Sequence, residues 1–176
     1  MGKFSEAELE QAFQHYWRTG AVGEDWHGFA NNFTEDALYV EHVLGTLRGR
    51  EAIRRWIVPI MQEYSELYTA YEWHCVDEAG DRIIVYMQNR RDHPSGSGTI
   101  DFPGVTILGY AGDGLFGFEE DYWAVPASRL AFKQYQEALE SHPDHKQLCT
   151  RLDWGNGPSW TRGAASYAER QPAQAR

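Results

Sequence analysis

Between residues 5 and 18 apolar side chains recur at helical spacing, with Leu9, Ala12, Phe13, Tyr16 and Trp17 falling on one face. Ser5 stands where an N-cap belongs and Glu8 follows three residues later, a capping box that fixes where the helix starts. The pattern breaks over 19–23, and Asp25 caps a second, short helix through Phe33 with Trp26, Phe29, Ala30 and Phe33 inward. Alternation from Ala37 to about Leu44 predicts a strand. Gly49 ends the turn that follows, and 50–64 predicts a third helix kinked by Pro59. From Leu67 the period changes to two. Strands are expected over 68–77, 82–92, 99–111 and 115–124, joined by turns at 77–81, 94–98 and Gly112-Asp113-Gly114. Pro103 confines the first half of the third of these to an edge or a bulge. Pro126 and Ser128 open a further helix to about Glu140, and the end of the chain, AASYAERQPAQAR, reads as a loose tail.

Helices interleaved with one strand, then four consecutive strands, then a terminal helix make an α+β fold. The expected architecture is a cone: a curved antiparallel sheet wrapped around three N-terminal helices, with an extra C-terminal helix and tail. Residues 1–125 would form the cone, and 126–176 an extension of the same domain. A sheet bent around helices encloses a blind pocket.

Composition narrows the partners. Lys and Arg number 16 against 26 acidic residues, a formal charge of -10 that disfavours nucleic acid and anionic membrane surfaces. Aromatic residues make up 14% of the chain, including 7 Trp, which suits a lined cavity. Two cysteines, Cys75 and Cys149, supply no disulfide framework: one bridge between them is an alternative, and free thiols in a reducing compartment are the expectation. The N-terminus has no apolar stretch of the signal-peptide kind and no run reaches a membrane span, so a cytoplasmic protein is expected.

The run FTEDALYVEHVLGTLRGREAI (residues 33–53) together with GDGLFGFEEDYW (112–123) resembles the nuclear-transport-factor-2-like superfamily, and its SnoaL-like branch in particular. The resemblance spans about residues 5–125 and rests on Phe33, Glu35-Asp36-Ala37, the Gly49 to Ile53 helix opening and Asp121-Tyr122-Trp123. It implies a small-molecule enzyme of the isomerase, dehydratase, cyclase or epoxide-hydrolase type, or a non-catalytic binding module of the same fold. It further implies a hydrophobic or polycyclic ligand and no metal or cofactor; a homodimer is expected separately, because an open curved sheet with an aromatic outer face prefers to be covered.

Two neighbours compete for the role of base. Ungapped counting from the acidic pair puts Glu41 where ketosteroid isomerases carry their general base; a shifted register puts His42 there. Alternation sends Ala37, Tyr39 and Glu41 to one side and Leu38, Val40 and His42 to the other, and the two apolar neighbours favour burial on the side of His42. Arg90, with Asp92 two residues on and Asp121 on the last strand, matches the types and order of an epoxide-hydrolase set, at the cost of a two-residue insertion. Tyr16 falls near the isomerases' oxyanion-stabilising tyrosine, while Thr106 stands where their second donor, a protonated acid, would be. The resemblance marks Tyr39, Trp17, Trp73, His74 and Tyr122 as ligand contacts. His142 and His145 lack a third ligand at zinc-site spacing.

Overall fold

The computed structural model describes residues 2–146, 154, 155 and 157–162. Helix α1 spans Glu6–Trp17, and the Ser5 hydroxyl accepts from Glu8 N at 3.3 Å as the capping pattern requires. Its buried face is Leu9, Ala12, Phe13, Tyr16 and Trp17. One π-helical turn, Arg18–Val22, follows; then α2, Trp26–Phe29, capped by Asp25, and a 3₁₀ turn over Ala30–Asn32. Strand β1 runs Phe33–Glu41, starting earlier and ending earlier than its alternation predicts. It turns back into β2, Gly45–Arg48, a strand too short to show a period in the sequence. Helix α3 is Arg50–Glu63 and carries Pro59 inside it.

Strands β3 (Tyr68–Asp77), β4 (Arg82–Asp92), β5 (Thr99–Gly112) and β6 (Leu115–Trp123) fall within a residue of their expected ends, and α4 covers Val125–Ser141. A last helical turn, α5, is Ser159–Arg162. Trp160 within it packs on Phe13 and Tyr71, with ring centroids 5.8 and 5.5 Å apart. The tail expected from residue 164 onward lies outside the described residues, as does Cys149; Cys75 is an exposed free thiol.

The six strands form one curved, unclosed sheet in the order β2-β1-β6-β5-β4-β3. Every neighbouring pair is antiparallel except β1 and β6, which run parallel, with Tyr39 opposite Glu119 and Glu41 opposite Asp121. Pro103 sits where β5 is paired with β4 but β6 has come to its end; its carbonyl takes the Ala124 N–H just past that end, so the missing proline N–H interrupts no β6 pairing.

Two irregularities aim the site. On β6 the register slips between Tyr110↔Phe116 and Gly109↔Phe118, leaving Gly117 as the extra residue of a bulge. Inward positions therefore change from Phe116 to Glu119, Asp121 and Trp123. On β3 a slip between Tyr71 and Trp73 turns Trp73 outward. The core lies between the concave face and α1–α3, where Phe13, Phe33, Ile53, Ile83, Leu108 and Phe116 are fully buried. No helix among the described residues is long and apolar enough to cross a membrane.

Gly49 joins β2 to α3 at φ 91° and ψ 145°, a backbone region that side-chain-bearing residues avoid, and a Cβ there would stand 3.0 Å from the Glu35 carbonyl. Gly49→Ala is expected to cost about 1–3 kcal/mol. Urea unfolding should show this as a lower midpoint at unchanged slope.

Candidate active site

A cavity of about 800 Å³ opens between the concave sheet face, α3 and the start of α4. That volume suits a small organic ligand. Aromatic and aliphatic side chains make most of its wall, among them Trp17, Trp26, Phe29, Trp56, Ile57 and Phe102. Exposed Leu44, Tyr64 and Phe132 border it.

Set into this apolar wall are two carboxyl groups from one strand. Glu119 and Asp121 are two residues apart on β6, so both point the same way. Tyr16 on α1 donates its hydroxyl to Glu119 Oε1 at 2.8 Å. Tyr39 on β1 donates to Asp121 Oδ2 and Thr106 on β5 to Asp121 Oδ1, both at 2.5 Å. Glu119 is 1% exposed, and among the described residues its Oε2 has no hydrogen-bond partner. An acidic proton on Glu119, shared toward Asp121, resolves that orphaned oxygen.

The energetics agree. Burial, then the neighbouring Asp121 charge, pushes the Glu119 carboxyl well above the ordinary carboxylate range. Burial pushes Asp121 up from 3.8 to about 6, against the pull of its bonds from Thr106 and Tyr39. Tyr16 and Tyr39 are likewise raised well above 10.0, by burial first and then by the adjacent carboxylates, so both phenols stay protonated. Both carboxyls of the pair thus hold a proton more readily than a solvated carboxyl does, and Glu119 is the one displaced further.

Glu41 also lines the cavity at 4% exposure. Its carboxylate is taken up locally: Trp123 Nε1 donates to Oε1 at 2.5 Å, and the backbone N–H groups of Val43 (3.0 Å) and Leu44 donate to Oε2. It latches the β1–β2 turn to the end of β6.

His42 is corrected to the outer side. The buried face of β1 is that of Ala37, Tyr39 and Glu41, because the concave side seats the tyrosine and glutamate hydrogen bonds while Leu38 and Val40 stay only half-buried. The half-exposed His42 side chain stacks on the Tyr122 ring at 4.4 Å and meets Glu120 Oε1 at 2.8 Å. Tyr122 borders the cavity, but its hydroxyl is likewise given to Glu120.

Arg90 is also corrected. Val85, Met87, Asn89 and Arg91 are the β4 residues that line the cavity, so Arg90 falls on the other face, paired with Asp101 at 2.7 Å. Asp92 takes the Tyr68 hydroxyl at 2.9 Å instead of facing Asp121. Trp73, half-exposed, stacks on Tyr86 outside the sheet. His74 lies under α1, bridging Glu10 (2.6 Å) and the Tyr71 hydroxyl (2.7 Å), away from the cavity. Of the expected residues, Tyr16, Trp17, Tyr39, Glu41, Asp121 and Tyr122 line the cavity, and His42, Trp73, His74 and Arg90 do not.

Glu119 was missed. Its signal is present in the sequence, since it stands two residues before Asp121 on the same strand face. Counting from Phe116 instead gives the opposite face, because Gly117 is bulged.

Residues 11–116 match the SnoaL-like domain family. The chain belongs to that family, within the nuclear-transport-factor-2-like superfamily. The structure is similar to TerC co-crystallised with polyporic acid, at TM-score 0.57 and 16% identity, covering 72% of this chain and 98% of that one. It is similar to an LEH-like epoxide hydrolase of M. tuberculosis (TM-score 0.54, 14% identity, 77% and 94% covered). A third likeness is an NTF2-like protein of unknown function from Burkholderia pseudomallei K96243 (0.56, 15%, 70% and 94%). Such identities establish the shared fold. No curated protein sequence matches the chain.

Because Asp121 binds its proton more tightly folded than unfolded, its contribution to stability is full below about pH 4 and is lost as pH rises through about 6. The displacement is equivalent to about 3 kcal/mol at ~1.4 kcal/mol per pH unit. Asp121→Asn should therefore be more stable than the parent at pH 8, by up to about 3 kcal/mol. At pH 4.5 the gain should be much smaller, as measured by denaturant unfolding at both pH values.

Proposed function

We propose that this protein is a general acid–base enzyme that moves a proton on a largely apolar ligand held in the cavity, using its own side chains. The observation that carries the reading is the buried pair on β6: Glu119 and Asp121 side by side, hydrogen-bonded by Tyr16, Tyr39 and Thr106 inside an aromatic chamber, with burial pushing both carboxyls up and Glu119 the further. Two adjacent carboxyls with displaced affinities supply a base and an acid in one place. Asp121 removes the proton, and Glu119 returns one to the oxygen or carbon that becomes basic. Tyr39 and Thr106 orient the base, and Tyr16 orients the acid. Glu41 serves the site by holding Trp123 and the turn in place.

Isomerisation or cyclisation through an enol fits this arrangement better than epoxide opening. Across Leu108 and Thr106 the β4 positions level with Glu119 and Asp121 are Ile83 and Val85, which bring neither a second carboxylate nor an arginine against the pair. Among the similar structures, one is named an LEH-like epoxide hydrolase and another was co-crystallised with polyporic acid, so the fold is compatible with either chemistry on a small organic ligand. A passive binder of the same fold is the second reading. It is favoured by the hydroxyl hydrogen bonds that already reach both oxygens of Asp121.

Exchange of the α-protons of 2-tetralone in D2O, followed by NMR, separates the two. Protein-dependent exchange should rise with pH through about 6 and fall at least ~10²-fold in Asp121→Asn. Exchange no faster than in buffer, or undiminished in the variant, overturns the enzyme reading.

The outer sheet face, with half-exposed Trp73 stacked on Tyr86, is the surface through which two copies would pair. Sedimentation velocity should show a dimer for the parent chain and a monomer for Trp73→Glu.

A further inference from the structure

The cavity wall that β4 contributes begins apolar and ends in a cation. Arg91 lines the cavity, yet its side chain is only 4% exposed. Its one hydrogen bond runs from Nε to Glu66 Oε1 at 2.9 Å. Its guanidinium carbon lies 5.3 Å from the Tyr135 ring centroid and 6.0 Å from that of Phe132, both on α4. Among the described residues no acceptor meets either of its Nη groups, so a buried cation that lines the chamber keeps N–H donors unmatched. Arg129, at the start of α4, lines the same cavity and makes no hydrogen bond or ion pair with the described residues.

The remaining charges around the cavity give it two ends. Glu119, Asp121 and Glu41 lie at the β1–β6 end; Glu66 is engaged with Arg91, and Glu63 is exposed on α3 at the rim. The ladders place Val85 opposite Thr106 and Thr106 opposite Asp121. Arg91 stands six residues further along β4, or ~20 Å of strand at ~3.3 Å per residue. An anionic group entering this chamber is repelled by the carboxyl end and met by guanidinium donors at the other.

We propose that the β4–α4 end of the cavity is an anion subsite, in which Arg91, with Arg129 at the rim, binds the carboxylate or comparable oxyanion of an amphipathic organic acid. The aromatic or polycyclic body of that acid fills the chamber and carries its reactive atoms to Asp121. This rests on the acid–base reading of the cavity for its catalytic half and names the substrate class for it. A neutral ligand of equal size leaves the Arg91 donors unmatched and binds more weakly.

The test is fluorescence titration with two probes that share one apolar body, 8-anilino-1-naphthalenesulfonate and the uncharged N-phenyl-1-naphthylamine. The parent protein should bind the sulfonate at least tenfold more tightly. Arg91→Met combined with Arg129→Ala should erase that preference while leaving the neutral probe within about twofold. Glu66→Gln frees Arg91 of its counter-charge and should tighten the sulfonate severalfold, a gain that a purely structural Arg91 would not produce. Should the Arg91 variant fail to fold, Arg129→Ala alone and Glu66→Gln still decide. Equal binding of the two probes, binding of neither, or a preference that survives both arginine changes overturns the subsite. Asp121→Asn should keep the preference. Absent 2-tetralone exchange with the preference intact therefore overturns only the catalytic reading, and exchange without preference overturns only the subsite.

Discussion

Two carboxyl groups two residues apart on β6, both facing an apolar interior, cannot both ionise at ordinary cost, because like charges in a poorly solvating medium repel and lose hydration together. The molecule resolves this by leaving a proton on Glu119 and surrounding Asp121 with hydroxyls. Tyr39 on β1 and Thr106 on β5 supply those hydroxyls, and Tyr16 on α1 supplies one to Glu119, so the position of each element against β6 is tied to the state of the pair. The aromatic packing around it, Tyr16 against Phe29, Phe33 and Phe116, and Tyr39 against Trp56, keeps the phenols aimed. A polar network inside a greasy chamber is stable only when its members are matched, and here the matching also creates the reactive asymmetry.

Much of the framework was legible from periodicity. The face of α1, the Ser5 cap and the four long strands followed from spacing, because burial on one side forces a period of 3.6 or 2. Strand β2 was not, since four residues beside a turn carry too little pattern. The pairing of β1 with β6 was not either: a parallel neighbour 80-odd positions away leaves no local trace.

The site was legible in part for a related reason. Tyr16, Tyr39 and Asp121 came from family resemblance, but which side of β1 is concave depends on partners the strand cannot announce. Two apolar neighbours argued for the side of His42, and two hydrogen-bonding side chains on the other side, Tyr39 and Glu41, outweighed them. On β4 the same one-residue ambiguity separates Arg90, paired outside, from Arg91, lining the cavity. Single-residue bulges on β3 and β6 defeat counting altogether, because each exchanges the faces of everything beyond it.

The parallel seam between β1 and β6 bears on how the chain acquires its shape. Residues bonded across it, such as Tyr39 and Asp121, are 82 positions apart, so the loop between them must close before the seam can form. The β3–β6 meander can assemble from sequence neighbours, whereas the N-terminal helices and β1 wait for the last strand. During synthesis, Tyr16 and Phe33 emerge long before Phe116 on the last strand, against which they pack. Completion of the chamber is thus a late, all-at-once event, and the nascent N-terminal third is the stretch for which chaperone shielding matters most.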